Sequence, residues 1–326
     1  MKKLIPLFLA VILLLSTLSF VGCKKEEPKL KLGLGVYTTV SATDATEDKA
    51  GQGQATVTAA AVLVDDEGKI VKAFVDCADN KVGYTAEGKA VANAEFKTKY
   101  ESGADYNMVA YGGAAKEWFE QADAFCALIV GKTADEVKAL VAENAKGTDE
   151  VINAGCTIYV AEFVKAIEKA IANAAASEAT ANEALKLGVA TTQTTADATE
   201  EKNGSNKVET VFFAAAVNAE GKVVAASSDS VEVSFTFDEK GKSTFDTKKD
   251  VLSKKEQGDN YGMKAYAGSA KEWYEQAAAF DAACIGKTAS EIEGLMGADY
   301  KGNADLQAAG CTVYVSGFVK AAKKIG

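Results

Sequence analysis

Two hydroxyl residues, Thr157 and Thr312, close the same four-residue run, Ala-Gly-Cys-Thr, 155 positions apart. A helix-like apolar stripe follows each: Phe163, Val164, Ile167 and Ile171 after the first, Phe318, Val319 and Ala322 after the second. A hydroxyl near a helix start faces unpaired backbone N–H groups and the positive end of the dipole. A phosphate attached to, or resting on, the threonine would be held there. Gly155 and Gly310 would let the backbone approach such a group closely. A local device fits the same residues, with threonine capping the helix and glycine making the turn.

Other chemistry is removed by composition. The chain of 326 residues has no histidine, and every one of its 36 basic side chains is lysine. Hydrolases of the usual triad type lack their imidazole, and histidine-based zinc sites lack their ligand. The bidentate guanidinium clamp for phosphate is absent too. A net charge of −10 speaks against nucleic acid as a partner. Asp44-Ala-Thr-Glu47 and Asp197-Ala-Thr-Glu200 lack the ligand spacing of a calcium loop and read as solvated loops. No catalytic residue and no metal site emerge. Beyond Cys23 there are five cysteines, of which Cys156 and Cys311 recur between the copies, so the copies share no disulfide framework. Cys284 stands where Ile129 does and reads as core, and Cys126 as the more exposed thiol.

The elements that must position these residues also come twice. Strand-like Ala55–Val64 and Ile70–Cys77 flank a turn at Gly68, and Thr210–Val217 and Val223–Ala226 flank one at Gly221. A second hairpin is expected from Val82–Thr85 across Gly88. Val231, Val233, Phe235 and Phe237 alternate before Gly241, as in a half-buried antiparallel strand. Trp118, Ala122, Phe125 and Ile129, like Trp273, Ala277, Phe280 and Cys284, form apolar helical stripes. Thr133/Glu136 and Thr288/Glu291 spell capping boxes. Strands before helices indicate an α+β fold: two tandem homologous domains, each an antiparallel sheet followed by helices. The expected boundaries are 32–173 and 187–326, joined by a helical or semi-rigid linker at 174–186. Thr38–Gln54 and Thr191–Lys207 read as long polar loops. Residues 1–22, basic then apolar and ending in Gly22, read as a lipoprotein signal, with Cys23 lipidated and 23–31 a tether. The rest of the chain is then expected outside the cytoplasm, held to a cell or outer membrane.

Each copy resembles the FMN-binding domain family, which includes tandem-domain bacterial surface lipoproteins of extracytoplasmic electron transfer. The likeness rests on the Gly and Thr of the two Ala-Gly-Cys-Thr runs and on Tyr106-Asn-Met108 with Lys116-Glu-Trp118-Phe-Glu-Gln121. Tyr261-Gly-Met263 with Lys271-Glu-Trp273-Tyr-Glu-Gln276 repeats them. The chain differs in having alanine before the glycine, and Val151 and Leu306 where the family has an acid. The resemblance implies FMN, attached by a flavin transferase through a phosphoester to Thr157 and Thr312. Gly155, Gly310, Cys156 and Cys311 would lie beside the phosphate, and Tyr106 and Tyr261 against the ring. It implies an electron-transfer flavoprotein rather than a substrate-transforming enzyme, working with redox proteins or a quinone. The alternative is a non-redox binding or structural envelope lipoprotein, such as a surface antigen, of the same fold.

Overall fold

A computed structural model describes residues 27–326. Cys23 and the apolar run before it lie outside the described residues. The first copy opens with β1 (Lys31–Thr43), β2 (Gly51–Val64) and β3 (Ile70–Tyr84), an antiparallel meander. Short strands β4 (Ala90–Val91) and β5 (Ala175–Ala176) extend its edges, giving the order β4-β3-β2-β1-β5. The second copy repeats the meander with β6 (Ala184–Ala196), β7 (Gly204–Val217) and β8 (Val223–Phe237). Strand lengths of 13, 14 and 15 residues recur in order.

Helices follow each meander. The first set is α1 (Lys99–Ser102), α2 (Trp118–Leu128), α3 (Ala134–Lys138), α4 (Asp149–Asn153) and α5 (Ala161–Ala172). The second is α6 (Lys254–Gln257), α7 (Met263–Ala267), α8 (Trp273–Cys284), α9 (Ala289–Ile292), α10 (Ala304–Ala308) and α11 (Ser316–Lys323). The fold is α+β, as expected. Both capping boxes form, with Thr133 accepting from the Glu136 amide and Thr288 from that of Glu291. The α2 and α8 stripes are buried, Cys284 among them.

β2 is apolar on both faces, so it needs cover on both sides. Ala60, Val62 and Val64 pack under the helices of their own copy. Val57, Ala59, Ala61 and Leu63 join a second core with Val208, Phe212, Ala214 and Ala216 of the other copy. The two sheets therefore pack face to face, with helices outside each: four layers with a shared centre. Gly35 and Gly188 let the last helix of each copy lie directly on its sheet. A Cβ at either would strike a helix carbonyl, that of Ala166 or Ala321.

The halves grip each other reciprocally. The Ala45 amide donates to the Gly241 carbonyl and the Ala198 amide to that of Gly88, both at 2.8 Å. Asp44 accepts from the Ser243 amide at 2.9 Å and Asp197 from the Ala90 amide at 3.0 Å. Between them the Tyr84 and Phe237 rings stack at 4.4 Å.

Four expectations are corrected. Thr38–Gln54 and Thr191–Lys207 are mostly strand, because β1 and β6 run on as polar, half-exposed ribbons paired to β2 and β7. The acidic turns between them are braces across the halves, not free loops. Residues 70–84 form one strand instead of two, the register holding through Asp79 and Asn80. The 174–186 segment is neither helix nor spacer: it pairs as β5 with β1 and then enters β6.

Candidate functional site

The motif Lys-Glu-Trp-x-Glu-Gln, present in both copies, organises one site in each. Its last residue sits on the first turn of α2 or α8, where its carboxamide reaches the Gly-Cys-Thr loop. Gln121 Oε1 accepts from the Thr157 amide at 2.8 Å and from the Thr157 hydroxyl at 3.0 Å. Gln276 does the same for Thr312, again at 2.8 and 3.0 Å. Both glutamines are buried, and their Nε2 groups donate to the Lys116 and Lys271 carbonyls. The hydroxyl rotor is thus fixed while both threonines remain exposed. They do not start the helices: Val160 and Val315 occupy the cap positions. Gly155 and Gly310 have φ of 98° and 101°, a left-handed turn that favours glycine. The Lys116 and Lys271 ammonium groups lie over them, where a Cβ would collide.

The other motif residues build a pocket beside each loop. Glu117 accepts from the Met108 amide at 2.9 Å and Glu272 from the Met263 amide at 2.8 Å, anchoring the Tyr-x-Met segments. Glu120 and Glu275 close the capping boxes that begin α2 and α8. Trp118 and Trp273 are pocket wall and core at once. The first pocket, of about 560 Å³, is lined by Tyr37, Lys99, Tyr106, Trp118, Ile158 and Tyr159 among others. The second, of about 430 Å³, is lined by Lys254, Tyr261, Trp273, Thr312, Val313 and Tyr314. Volumes of this order suit a medium-sized organic ligand. Tyr106 and Tyr261 line the two pockets.

The pockets have a feature the sequence reading missed. Lys99 opens α1 and Lys254 opens α6, and each points its ammonium at the aromatic wall. Lys99 Nζ lies 5.5 Å from the Tyr106 ring centroid and 5.8 Å from that of Trp118. For Lys254 the distances to Tyr261 and Trp273 are 5.1 and 5.6 Å. Asp79 pairs with Lys99 at 3.2 Å, and Glu209 with Lys254 at 2.6 Å. Burial disfavours both ammonium groups but is outweighed, for Lys99 by the Asp79 carboxylate and for Lys254 by that of Glu209. Both amines are held above their usual range and stay charged. Their recurrence 155 residues apart was the available signal. A buried carboxylate locates each of these short helices. Asp76 accepts from the Cys77 amide at 2.7 Å and the Tyr100 amide at 3.2 Å. Asp229 accepts from the Ser230 and Lys255 amides at 2.7 and 3.1 Å.

Cys156 and Cys311 take no part. Cys156 and Cys311 are fully buried in the helical cores, turned from the pockets by the glycine turn. Burial pushes both thiols up to about 11. Cys126 is buried as well, not the exposed thiol expected, because α2 lies on β3 at that point; burial lifts it to about 12. All five described cysteines are free. Val151 and Leu306 are core residues of α4 and α10. Among the described residues no cluster of His, Cys, Asp and Glu could hold a metal ion, and no helix is long and apolar enough to cross a membrane.

Comparison with protein families, curated proteins and solved structures returns no match.

Proposed function

We propose that this chain is a membrane-anchored, extracytoplasmic flavoprotein electron carrier with one FMN site per repeat. The observation that carries the reading is the pairing, in both copies, of an exposed threonine hydroxyl clamped by a buried glutamine with an aromatic pocket holding a charged lysine. The flavin transferase would join each threonine oxygen, Thr157 and Thr312, to the FMN phosphorus as the bond from that phosphorus to its leaving group on an activated flavin-nucleotide donor breaks. The hydroxyl proton would go to the leaving group or solvent, so that each residue gains FMN less water. Lys116 and Lys271, lying over the adjacent glycines, supply positive charge where the phosphate would rest. Tyr106 and Tyr261, with Trp118 and Trp273, offer faces to a planar ring. The flavin would supply the redox chemistry, and the protein its position and potential.

Mass spectrometry of protein from its own host, or co-produced with that host's flavin transferase, tests the reading. The peptides holding Thr157 and Thr312 should each carry FMN less water, and flavin fluorescence should survive denaturation. Colourless protein with both peptides unmodified, and no flavin kept through gentle purification, would leave the alternative: an envelope binding protein of the same architecture.

A further inference from the structure

The two pockets recur in position but differ at the floor. In the first, β2 contributes Thr58 and β3 contributes Cys77. Thr58 is 1% exposed, and its Oγ1 is buried without a hydrogen-bond partner. Cys77, its partner across the strand pair, carries a thiol that burial pushes up to about 12, at best a weak acceptor for that hydroxyl. Lys99 has three ammonium donors and one carboxylate, Asp79, which also accepts from Thr56 at 2.8 Å.

In the second pocket the same positions are closed. Val211 stands where Thr58 does: Val211 lies directly opposite Ala190 across its hairpin, as Thr58 lies opposite Tyr37. Glu209 replaces Thr56 and accepts hydrogen bonds from the Lys254 ammonium at 2.6 Å and from the Ser230 hydroxyl at 3.1 Å. Ser230 is the counterpart of Cys77. Glu232 adds a second carboxylate 3.7 Å from Lys254. There Glu209 and Lys254 satisfy each other, and Glu232 is also paired with Lys207 at 3.5 Å.

A buried hydroxyl with no partner is a standing penalty that a ligand can relieve. Val211, in contrast, has no hydroxyl to offer the electron-rich edge of a ring. We propose that the pockets are unequal ligand sites. The first seats the carbonyl-bearing edge of a planar aromatic ring system on Lys99 and Thr58; the second has Val211 in place of that hydroxyl and holds the ring more weakly. This rests on the flavin reading for the identity of the ring, and names which repeat recognises the ring itself and which relies on its threonine.

The test uses the full chain made without a flavin transferase, titrated with riboflavin and with FMN while tryptophan and flavin fluorescence are followed. One tight site per chain is expected, with riboflavin binding nearly as well as FMN. Thr58→Val should weaken it roughly tenfold, the loss of one hydrogen bond in a dry site. The same variant should raise the unfolding midpoint of the ligand-free protein, since an unsatisfied hydroxyl is removed. A purely structural threonine would not give that opposed pair of effects. Lys99→Gln serves as a second variant and should also weaken binding. Two equal sites, no riboflavin binding, binding of FMN alone, or unchanged affinity in Thr58→Val would each overturn the proposal. The outcome is separable from the peptide masses, which judge the threonine linkage independently.

Discussion

Asp76 offers a pH-dependent test of how the site lysine is positioned. Its carboxyl is 4% exposed and joins β3 to the start of α1, the helix that carries Lys99. Burial lifts it from 3.8 to about 7, and hydrogen bonds from Thr98 and from the Cys77 and Tyr100 amides only partly oppose that. Because the folded value is raised, the carboxyl favours folding most when protonated. Its contribution is complete below about pH 4, falls as pH rises toward 7 and is flat beyond. A rise from 3.8 to about 7 corresponds to roughly 4 kcal/mol as an upper bound. Asp76→Asn keeps Oδ1 as acceptor for both amides and abolishes the ionisation. Urea unfolding of both proteins at pH 4 and pH 8 isolates the residue, since all other carboxylates cancel in the difference. The variant should match the wild type at pH 4 and exceed it by about 2–4 kcal/mol at pH 8. A difference that does not change with pH, or a variant weaker at pH 8, would refute the assignment of a buried, reluctantly ionised carboxyl.

Three further outcomes follow from the same geometry. Gln121→Leu removes the acceptor for the Thr157 amide and hydroxyl, so hydrogen exchange at that amide should accelerate and stability fall by about 1–3 kcal/mol. Unchanged protection would mean that another group holds the loop. Gly155→Ala forces a side chain into a φ of 98° and against Lys116, and should destabilise by at least about 1 kcal/mol in thermal unfolding, whereas Gly68→Ala, with open space around it, should cost only its turn strain. A fragment of residues 184–326 lacks the sheet that covers Val208, Phe212 and Ala214, so it should bind a hydrophobic dye and aggregate; a monomeric, cooperatively folding fragment would show that the shared core is dispensable.

Much of the molecule was legible because it is local. Capping boxes at Thr133 and Thr288, the stripes beginning at Trp118 and Trp273, and turns at Gly68 and Gly221 depend on residues within a few positions of each other. The doubling of the sequence marked both pockets' tyrosines and both threonines. The lack of histidine and arginine determined what chemistry the chain does not do by those means. The Thr-rich ends of β1 and β6 were misread because their polarity reflects half-exposed ribbons that hold their strand form through partners in β2 and β7.

What only the tertiary structure decided are relations between surfaces far apart in the chain. That β2 and β7 bury their second faces against each other is a property of two sheets, and neither strand's pattern names its cover. The clamp from Gln121 to Thr157 spans 36 residues, and nothing in either residue's neighbourhood requires it. The contrast between an unsatisfied Thr58 and a Val211 beside a saturated ion pair appears only when β1, β2 and β3 are placed in register. Sequence period reports which way a side chain faces; what it meets there depends on packing.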